Sequence, residues 1–485
     1  MKLTRRTMLA GLGACLLPGA SLGQVALTAT GPASGLSGFD PEPVIDLAKL
    51  GGEVAFAVLD PRSGEVLSSR HASQAMAPAS TLKIVTALYA LEKLGADHRF
   101  TTRIIKDGDD LILAGGGDPL LDTDGLAKLA GMTVETWQGP PPKRFLVWGG
   151  ALPQIDRLSA SQDEYLPYNP SLSGMILNFN RVHLGWRQGK LMLEARGRQQ
   201  SPRAYTISIG ASDRSRPLFT YDGSGKKEAW TIARGAVAKS GSRWLPVRRP
   251  ELYAGDVFQT LCRARGLVLP NPEVAELAPA GSEVAKLQGE RLDEIVRGML
   301  EYSTNLTAEV IGLAASGAAD PVSSAVAMEA WLRNLLPGEA FTFRDHSGLS
   351  AENRLTAMSL ARLVANEGEG RELADLLKHI SLRDDKGKKK ESPITVLAKT
   401  GTLNFVSNLS GYARMPDGRE IAFAILSGDE ARRAASEGQE LPDGVSVWTR
   451  RSKVMQQALI EGWMGALPAQ IAAPGGAAEP EKVIR

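Results

Sequence analysis

Ser80 and Lys83 stand three residues apart in Pro78-Ala79-Ser80-Thr81-Leu82-Lys83, ahead of an apolar run from Ile84 to Leu91. On a helix, positions i and i+3 share a face, so the hydroxyl and the amine can meet. A serine hydroxyl attacks poorly until a neighbouring base takes its proton. Lysine can be that base only when neutral, and its ordinary pKa of about 10.4 keeps it charged at neutral pH. Lowering it to roughly 7–8 requires burial and a neighbouring cation. That shift costs about 4 kcal/mol. The apolar helix would supply the burial; the cation must come from elsewhere in the chain.

Ser-x-x-Lys alone carries little information. A second copy, Ser224-Gly225-Lys226-Lys227, sits among glycines and charges with no apolar helix to desolvate its lysine. Lys239-Ser240-Gly241 imitates Lys-Thr-Gly, but it precedes Ser303 and lies on no strong strand. The force lies in an ordered triple. Ser80/Lys83 is followed by Ser303-Thr304-Asn305, the only Ser-x-Asn, and then by Lys399-Thr400-Gly401-Thr402, which holds the only Lys-Thr-Gly. The three fall at a helix start, a bend between helices and a strand.

This set resembles the Ser-x-x-Lys, Ser-x-Asn and Lys-Thr-Gly motifs of penicillin-binding proteins and class A β-lactamases. The 223-residue gap from Ser80 to Ser303 is similar to that of the low-molecular-mass class C penicillin-binding proteins, the D-alanyl-D-alanine carboxypeptidase/endopeptidase family. Gly116-Gly117-Asp118-Pro119, Asn178-Phe179-Asn180 and Gly348-Leu349-Ser350 with Asn353 agree with it. The resemblance implies that Ser80 attacks the carbonyl between two terminal D-alanines of a peptidoglycan stem peptide and that Lys83 accepts its proton. Ser303 would relay the proton to the leaving amine, and Asn305 would hold Lys83 and the substrate amide. Lys399 would be the second cation that helps keep Lys83 neutral. Thr400 and Thr402 would bind the terminal carboxylate, and backbone N–H groups of Ser80 and Thr402 would form the oxyanion hole. Gly401 would let the substrate backbone lie close. β-Lactams would acylate Ser80 and leave slowly.

The chain departs from the family at three places. Thr304 fills the middle of the second motif. Trp148-Gly149-Gly150-Ala151-Leu152-Pro153 lacks the usual acidic residue, so the insert is expected to touch substrate differently. Asp345-His346-Ser347-Gly348 replaces Asp-Gly-Ser-Gly, with His346 expected on a surface turn.

The elements that would position these residues can be read in order. Residues 53–59 alternate like a strand, 60–64 turn, and 65–67 return ahead of the serine helix, which Gly95 stops. Residues 101–285 show short strand-like pieces at 102–105, 111–114, 145–148, 175–179, 191–195 and 206–209, and read as an inserted, mainly β region of one or two small domains. The 115–117 glycines read as a turn. Leu292, Ile295, Val296, Met299 and Leu300 form a helical stripe, and further helices fit 306–316, 356–366, 371–380 and 447–463. Residues 394–426 read as a three-stranded meander. The resemblance adds the fold class: an α/β (α+β) transpeptidase-like domain, 24–100 and 286–469, with helices around an antiparallel sheet.

At 485 residues the chain exceeds one ordinary core. Its net charge of +2 gives no reason to expect nucleic acid. Residues 1–23 carry Lys2, Arg5-Arg6, an apolar stretch and the small-residue end Ser21-Leu22-Gly23, an export signal with a twin-arginine look. A periplasmic location follows, with peripheral association to membrane or wall as a variant. Residues 470–485 read as a disordered tail. Cys262 is left without a partner once the signal is removed, and reads as a core residue. The five histidines form no metal pattern, so neither metal nor cofactor is expected. A Ser-His-Asp hydrolase fails for want of a Gly-x-Ser-x-Gly elbow. Two alternatives stay open: an inactive penicillin-binding, wall-binding protein, and a β-lactamase. The latter lacks a Glu-x-x-Leu-Asn segment between Ser303 and Lys399.

Overall fold

The computed structural model describes residues 38–368, 372–383 and 387–465. The export signal, Cys15 and the 470–485 tail lie outside the described residues. A six-stranded antiparallel sheet organises the rest, in the order Lys378–His379, Thr395–Leu403, Val406–Arg414, Glu420–Gly428, Glu53–Leu59, Val66–Arg70. The meander read at 394–426 forms its middle. Glu53–Leu59, from the other end of the chain, pairs with Glu420–Gly428.

Side chains on a strand alternate between faces. Ala55, Ala57 and Leu59 therefore enter one core, and Val54, Phe56 and Val58 another. The first holds helices Leu82–Leu94, Leu292–Tyr302 and Asn305–Ser316; the second holds Val445–Trp463. The stripe Leu292, Ile295, Val296, Met299 and Leu300 is buried as its spacing requires.

A further core runs from Ile104 to Ala285. It packs under a five-stranded sheet in which Arg99–Asp107 pairs with Ser282–Arg291, so the chain enters and leaves this region side by side. Helices Thr123–Thr136 and Pro250–Arg263, not read from sequence, cross it. Cys262 is buried on the second.

The strand expected at 175–179 is a turn. Asn178, Phe179 and Asn180 all have positive φ, at 52°, 58° and 50°. Asparagine tolerates that conformation because its amide can replace backbone partners. Asn178 Oδ1 accepts from Thr123 N at 3.1 Å, and Asn180 Oδ1 accepts from Leu177 N at 3.1 Å. Met175, Ile176 and Leu177 imitate a strand because a buried loop needs apolar residues too.

His346 is fully buried rather than on a surface turn. Its Nε2 lies 2.6 Å from Ser324 Oγ, and burial pushes the ring pKa down to about 3. Gly312 makes room: a Cβ there would lie 2.2 Å from the ring. Alanine would favour the helix by about 1 kcal/mol. Overpacking a core costs about 1–3 kcal/mol or more. The clash against a rigid ring should win, so Gly312→Ala is expected to lower the thermal midpoint in calorimetry; an unchanged or raised midpoint would contradict this packing.

Candidate active site

Ser80 sits in a single 3-10 turn, Ala79–Thr81, that feeds the helix Leu82–Leu94. The residue before it is bent: Ala79 has φ 46°, a conformation that L-residues seldom adopt. Asn408 holds the bend. Its Nδ2 donates to the carbonyls of Ala77 at 2.9 Å and Pro78 at 2.8 Å, while its Oδ1 accepts from Ser427 N. Two glycines pinch the same turn. A Cβ on Gly348 would lie 1.8 Å from Ala79 O, and one on Gly401 2.8 Å from Pro78 O and 3.2 Å from Ser80 N. Gly401 was expected to admit substrate backbone; the backbone it admits is the protein's own serine turn. The strand Thr395–Leu403 can thereby touch the start of the serine helix.

Lys83 is fully buried. Its Nζ lies 2.9 Å from Ser80 Oγ, 2.9 Å from Asn305 Oδ1 and 2.6 Å from Ser347 O. The last two oxygens can only accept, and a neutral amine has two N–H groups for them. Its lone pair is left for the Ser80 hydroxyl, which can donate. Burial pushes the Lys83 pKa down to about 8, against the pull of Asp345 and Glu309.

Lys399 is buried as well. Its Nζ donates to Ser303 Oγ at 2.8 Å and to Thr400 O at 2.7 Å. Burial first, then Lys83 and Lys378, push it well below its ordinary range. Burial leads at both lysines, and their mutual repulsion, expected of Lys399 as the second cation, disfavours both being charged at once. The three oxygens around Lys83 can satisfy either protonation state, and its burial is what favours the neutral one. An anion arriving beside Lys399 would restore its charge, whereas Lys83 is enclosed.

Ser303 ends the helix Leu292–Tyr302 in a left-handed conformation, φ 59°, its N–H donating to Met299 O at 2.8 Å. Thr304 is extended and caps the helix Asn305–Ser316. This bend turns Ser303 to Lys399 and Asn305 to Lys83. Thr304 falls at a capping position, outside the cleft lining. Among the described residues, the strand bearing Lys399 pairs with Lys378–His379 at Leu397 and Ala398 alone, so its edge is open from Lys399 onward. Thr402 lines the cleft; Thr400 shares its face of the strand and is half-buried.

Sequence reading gave no role to several residues that hold the site. Glu309, one turn past Asn305, accepts from His346 N at 3.1 Å and Ser347 N at 2.9 Å. Burial and Asp345 push its pKa up to about 8. Asp345 accepts from Gly348 N, Ser350 N and Asn353 Nδ2, shaping the loop that hands Ser347 O to Lys83. The i, i+4 spacing of Asn305 and Glu309 was the available signal.

The cleft measures about 950 Å³. Ser161, Gln162 and Tyr168 of the inserted region form part of its wall, and Asn305 Nδ2 donates to Tyr168 O at 3.3 Å. The 148–153 segment, by contrast, packs Gly149 against Glu251. Ser224 and Lys239 are not among the residues that line the cleft. Among the described residues, no cluster of His, Cys, Asp and Glu could hold a metal ion.

Residues 42–136 and 157–452 match the D-Ala-D-Ala carboxypeptidase 3 (S13) family. The chain belongs to that family. It is a serine-type D-Ala-D-Ala carboxypeptidase of the low-molecular-mass class C penicillin-binding group, as the triple of motifs predicts. A D-alanyl-D-alanine carboxypeptidase of Actinomadura sp. (strain R39) is 26% identical over 442 residues, 80% of each chain. Carboxypeptidase DacB of Mycolicibacterium smegmatis is 27% identical over 403 residues, 78% of this chain and 76% of the relative. Penicillin binding protein 4 from Haemophilus influenzae superposes with a TM-score of 0.66 at 17% identity, over 85% of this chain and 98% of that one, which shows the shared fold.

Two outcomes follow from the geometry. A base works only unprotonated, so the rate of Ser80 acylation should rise with pH through about 8, the value to which burial brings Lys83. A stopped-flow pH profile flat between pH 6 and 9 would contradict this. Gly401→Ala should shift the serine turn, and displacements on the order of 1 Å cost about 100-fold in rate. Wild-type acylation by this variant would show that the glycine is not needed for the approach.

Proposed function

We propose that the protein removes the terminal D-alanine from peptidoglycan stem peptides through an acyl-Ser80 intermediate. The observation that carries this reading is the fully buried Lys83 amine 2.9 Å from Ser80 Oγ. Lys83 takes the hydroxyl proton as Oγ bonds to the carbonyl carbon between the two D-alanines. The backbone N–H groups of Ser80 and Thr402 receive the oxyanion, where each donor is worth about 3–4 kcal/mol. The C–N bond then breaks. The amine takes its proton from the Ser303 hydroxyl, which recovers one from the Lys83 ammonium. D-Alanine leaves and a water enters; Lys83 draws a proton from it as its oxygen bonds to the acyl carbon, and returns that proton to Ser80 Oγ as the ester C–O bond breaks.

Lys399, with the Thr400 and Thr402 hydroxyls, holds the terminal carboxylate in this scheme. The open strand edge from Lys399 to Leu403 offers backbone partners to an extended peptide. A β-lactam acylates Ser80 by the same attack. Its amine stays tethered after ring opening, so water enters poorly and release is slow. Cross-linked peptides are a second substrate class in this reading, and the export signal delivers the enzyme to the periplasm, where the wall lies. Neither cofactor nor metal enters any step.

Ser80→Ala should abolish the covalent penicillin adduct seen by intact-mass analysis and cut D-alanine release by at least about 10,000-fold, with the thermal midpoint kept. Release persisting in this variant, or a wild-type protein that forms no adduct and releases no D-alanine, would overturn the reading. An adduct without release would instead identify a penicillin-binding protein that does not turn over.

A further inference from the structure

We infer that the cleft carries an anion-binding extension on the acyl side of the scissile bond, built by Arg450 and Lys453 of the helix Val445–Trp463. This helix buries Trp448, Ser452, Met455 and Leu459. Its opposite face looks into the cleft that holds Ser80: Ser446, Thr449, Arg450, Lys453, Val454 and Gln457 all line it. Their spacing is that of one helical stripe, and five of the six are polar.

Most charges along this part of the cleft are already engaged. Arg433 donates to Glu430 at 3.1 Å and to Ala351 O at 3.1 Å. Glu440 accepts from Arg243 at 3.2 Å and from the Tyr165 hydroxyl at 3.3 Å. The side chains of Arg450 and Lys453 form no ion pair or hydrogen bond among the described residues, and both are exposed. Two other charges lining the cleft form no ion pair among the described residues: Arg383, which donates to Gly387 O at 2.7 Å, and Glu437 on the 433–441 segment, so an anion would lie away from Glu437, on the helix side.

The direction of the substrate fixes which group would reach them. A terminal carboxylate drawn to Lys399 puts the leaving D-alanine on that side of the oxyanion hole. The acyl part then runs the other way, past Thr402 toward Leu403 and Asn404, which line the same extension as the helix. A stem peptide with a γ-linked acidic residue on its acyl side keeps a free α-carboxylate. That carboxylate is the ligand we assign to Arg450 and Lys453. The inference rests on the reading of Ser80 as the attacking group.

The test uses two peptides ending in D-Ala-D-Ala that differ only in this group, one with the free γ-glutamyl α-carboxylate and one with the carboxamide. Wild-type protein should prefer the carboxylate in kcat/KM by about fivefold to tenfold, the range expected of two exposed charge pairs. In Arg450→Gln/Lys453→Gln the carboxylate peptide should fall to the level of the carboxamide. Benzylpenicillin, whose acyl side is a short neutral group, reports the chemistry at Ser80 separately. The wild-type preference should also shrink as salt rises from about 0.05 to 0.5 M, a readout that needs no variant. No preference in wild type, a preference that survives in the double variant, or one insensitive to salt would overturn the inference. Absence of both D-alanine release and penicillin adduct in wild type would instead defeat the reading of Ser80.

Discussion

A lysine amine enclosed between one hydroxyl and two oxygens that can only accept is the constraint on which the site depends. Burial of Lys83 lowers its pKa to about 8 and makes it a base near neutral pH. Such burial is unfavourable for the charged form, and three oxygens from the fold keep the amine hydrogen-bonded in either state. When the amine is neutral, Asn305 Oδ1 and Ser347 O take its N–H groups, which aims the lone pair at Ser80. Each of those oxygens comes from a different part of the chain, so the base exists only in the folded state.

Bringing those parts together requires backbone that most sequences avoid. Ala79 and Ser303, both adjacent to or within a catalytic motif, hold left-handed conformations. Such residues each cost on the order of 1–3 kcal/mol and persist only where the surroundings over-determine them. Here the surroundings are identifiable. Asn408 bonds both carbonyls ahead of Ala79, and Gly348 and Gly401 close on the same turn with no room for a side chain. At Ser303, the N–H still reaches Met299 O, so the helix end loses no backbone partner. The strain is local, and strands of the central sheet reach both places: Asn408 at the serine turn and Lys399 at the Ser303 hydroxyl.

The site was legible in sequence because its chemistry is concentrated in short motifs whose residue types cannot be exchanged. Ser80, Lys83, Ser303, Asn305 and Lys399 meet in the structure because spacing and order already described the contacts. The central meander and the helix stripe at 292–300 were legible for a different reason: each has one buried face with the period of its element. What escaped was support without periodicity. Asn408 and Glu309 act through hydrogen bonds to backbone far away in sequence, and Asp345 through bonds within its own loop. Helices Thr123–Thr136 and Pro250–Arg263 were hidden by glycine and polar residues on their faces. The apparent strand at 175–179 shows the reverse error: burial without regular structure. His346 was misjudged because its pocket is made by an absent side chain, at Gly312.

Lys83 and Glu309 together show what the arrangement costs across pH. Burial lowers the lysine from 10.5 to about 8 and raises the glutamate from 4.5 to about 8. Between pH 4.5 and 8 the unfolded chain has released the glutamate proton while the folded chain keeps it, so stability falls as pH rises. Between 8 and 10.5 the unfolded lysine keeps a proton that the folded one has lost, so stability rises again. The two slopes have opposite signs and meet near pH 8. The pH at which the base becomes available is therefore also the pH at which this buried pair weakens the fold most. A site of this kind needs a large supporting structure. The two cores on either face of the central sheet, and the further core that supplies part of the cleft wall, provide it.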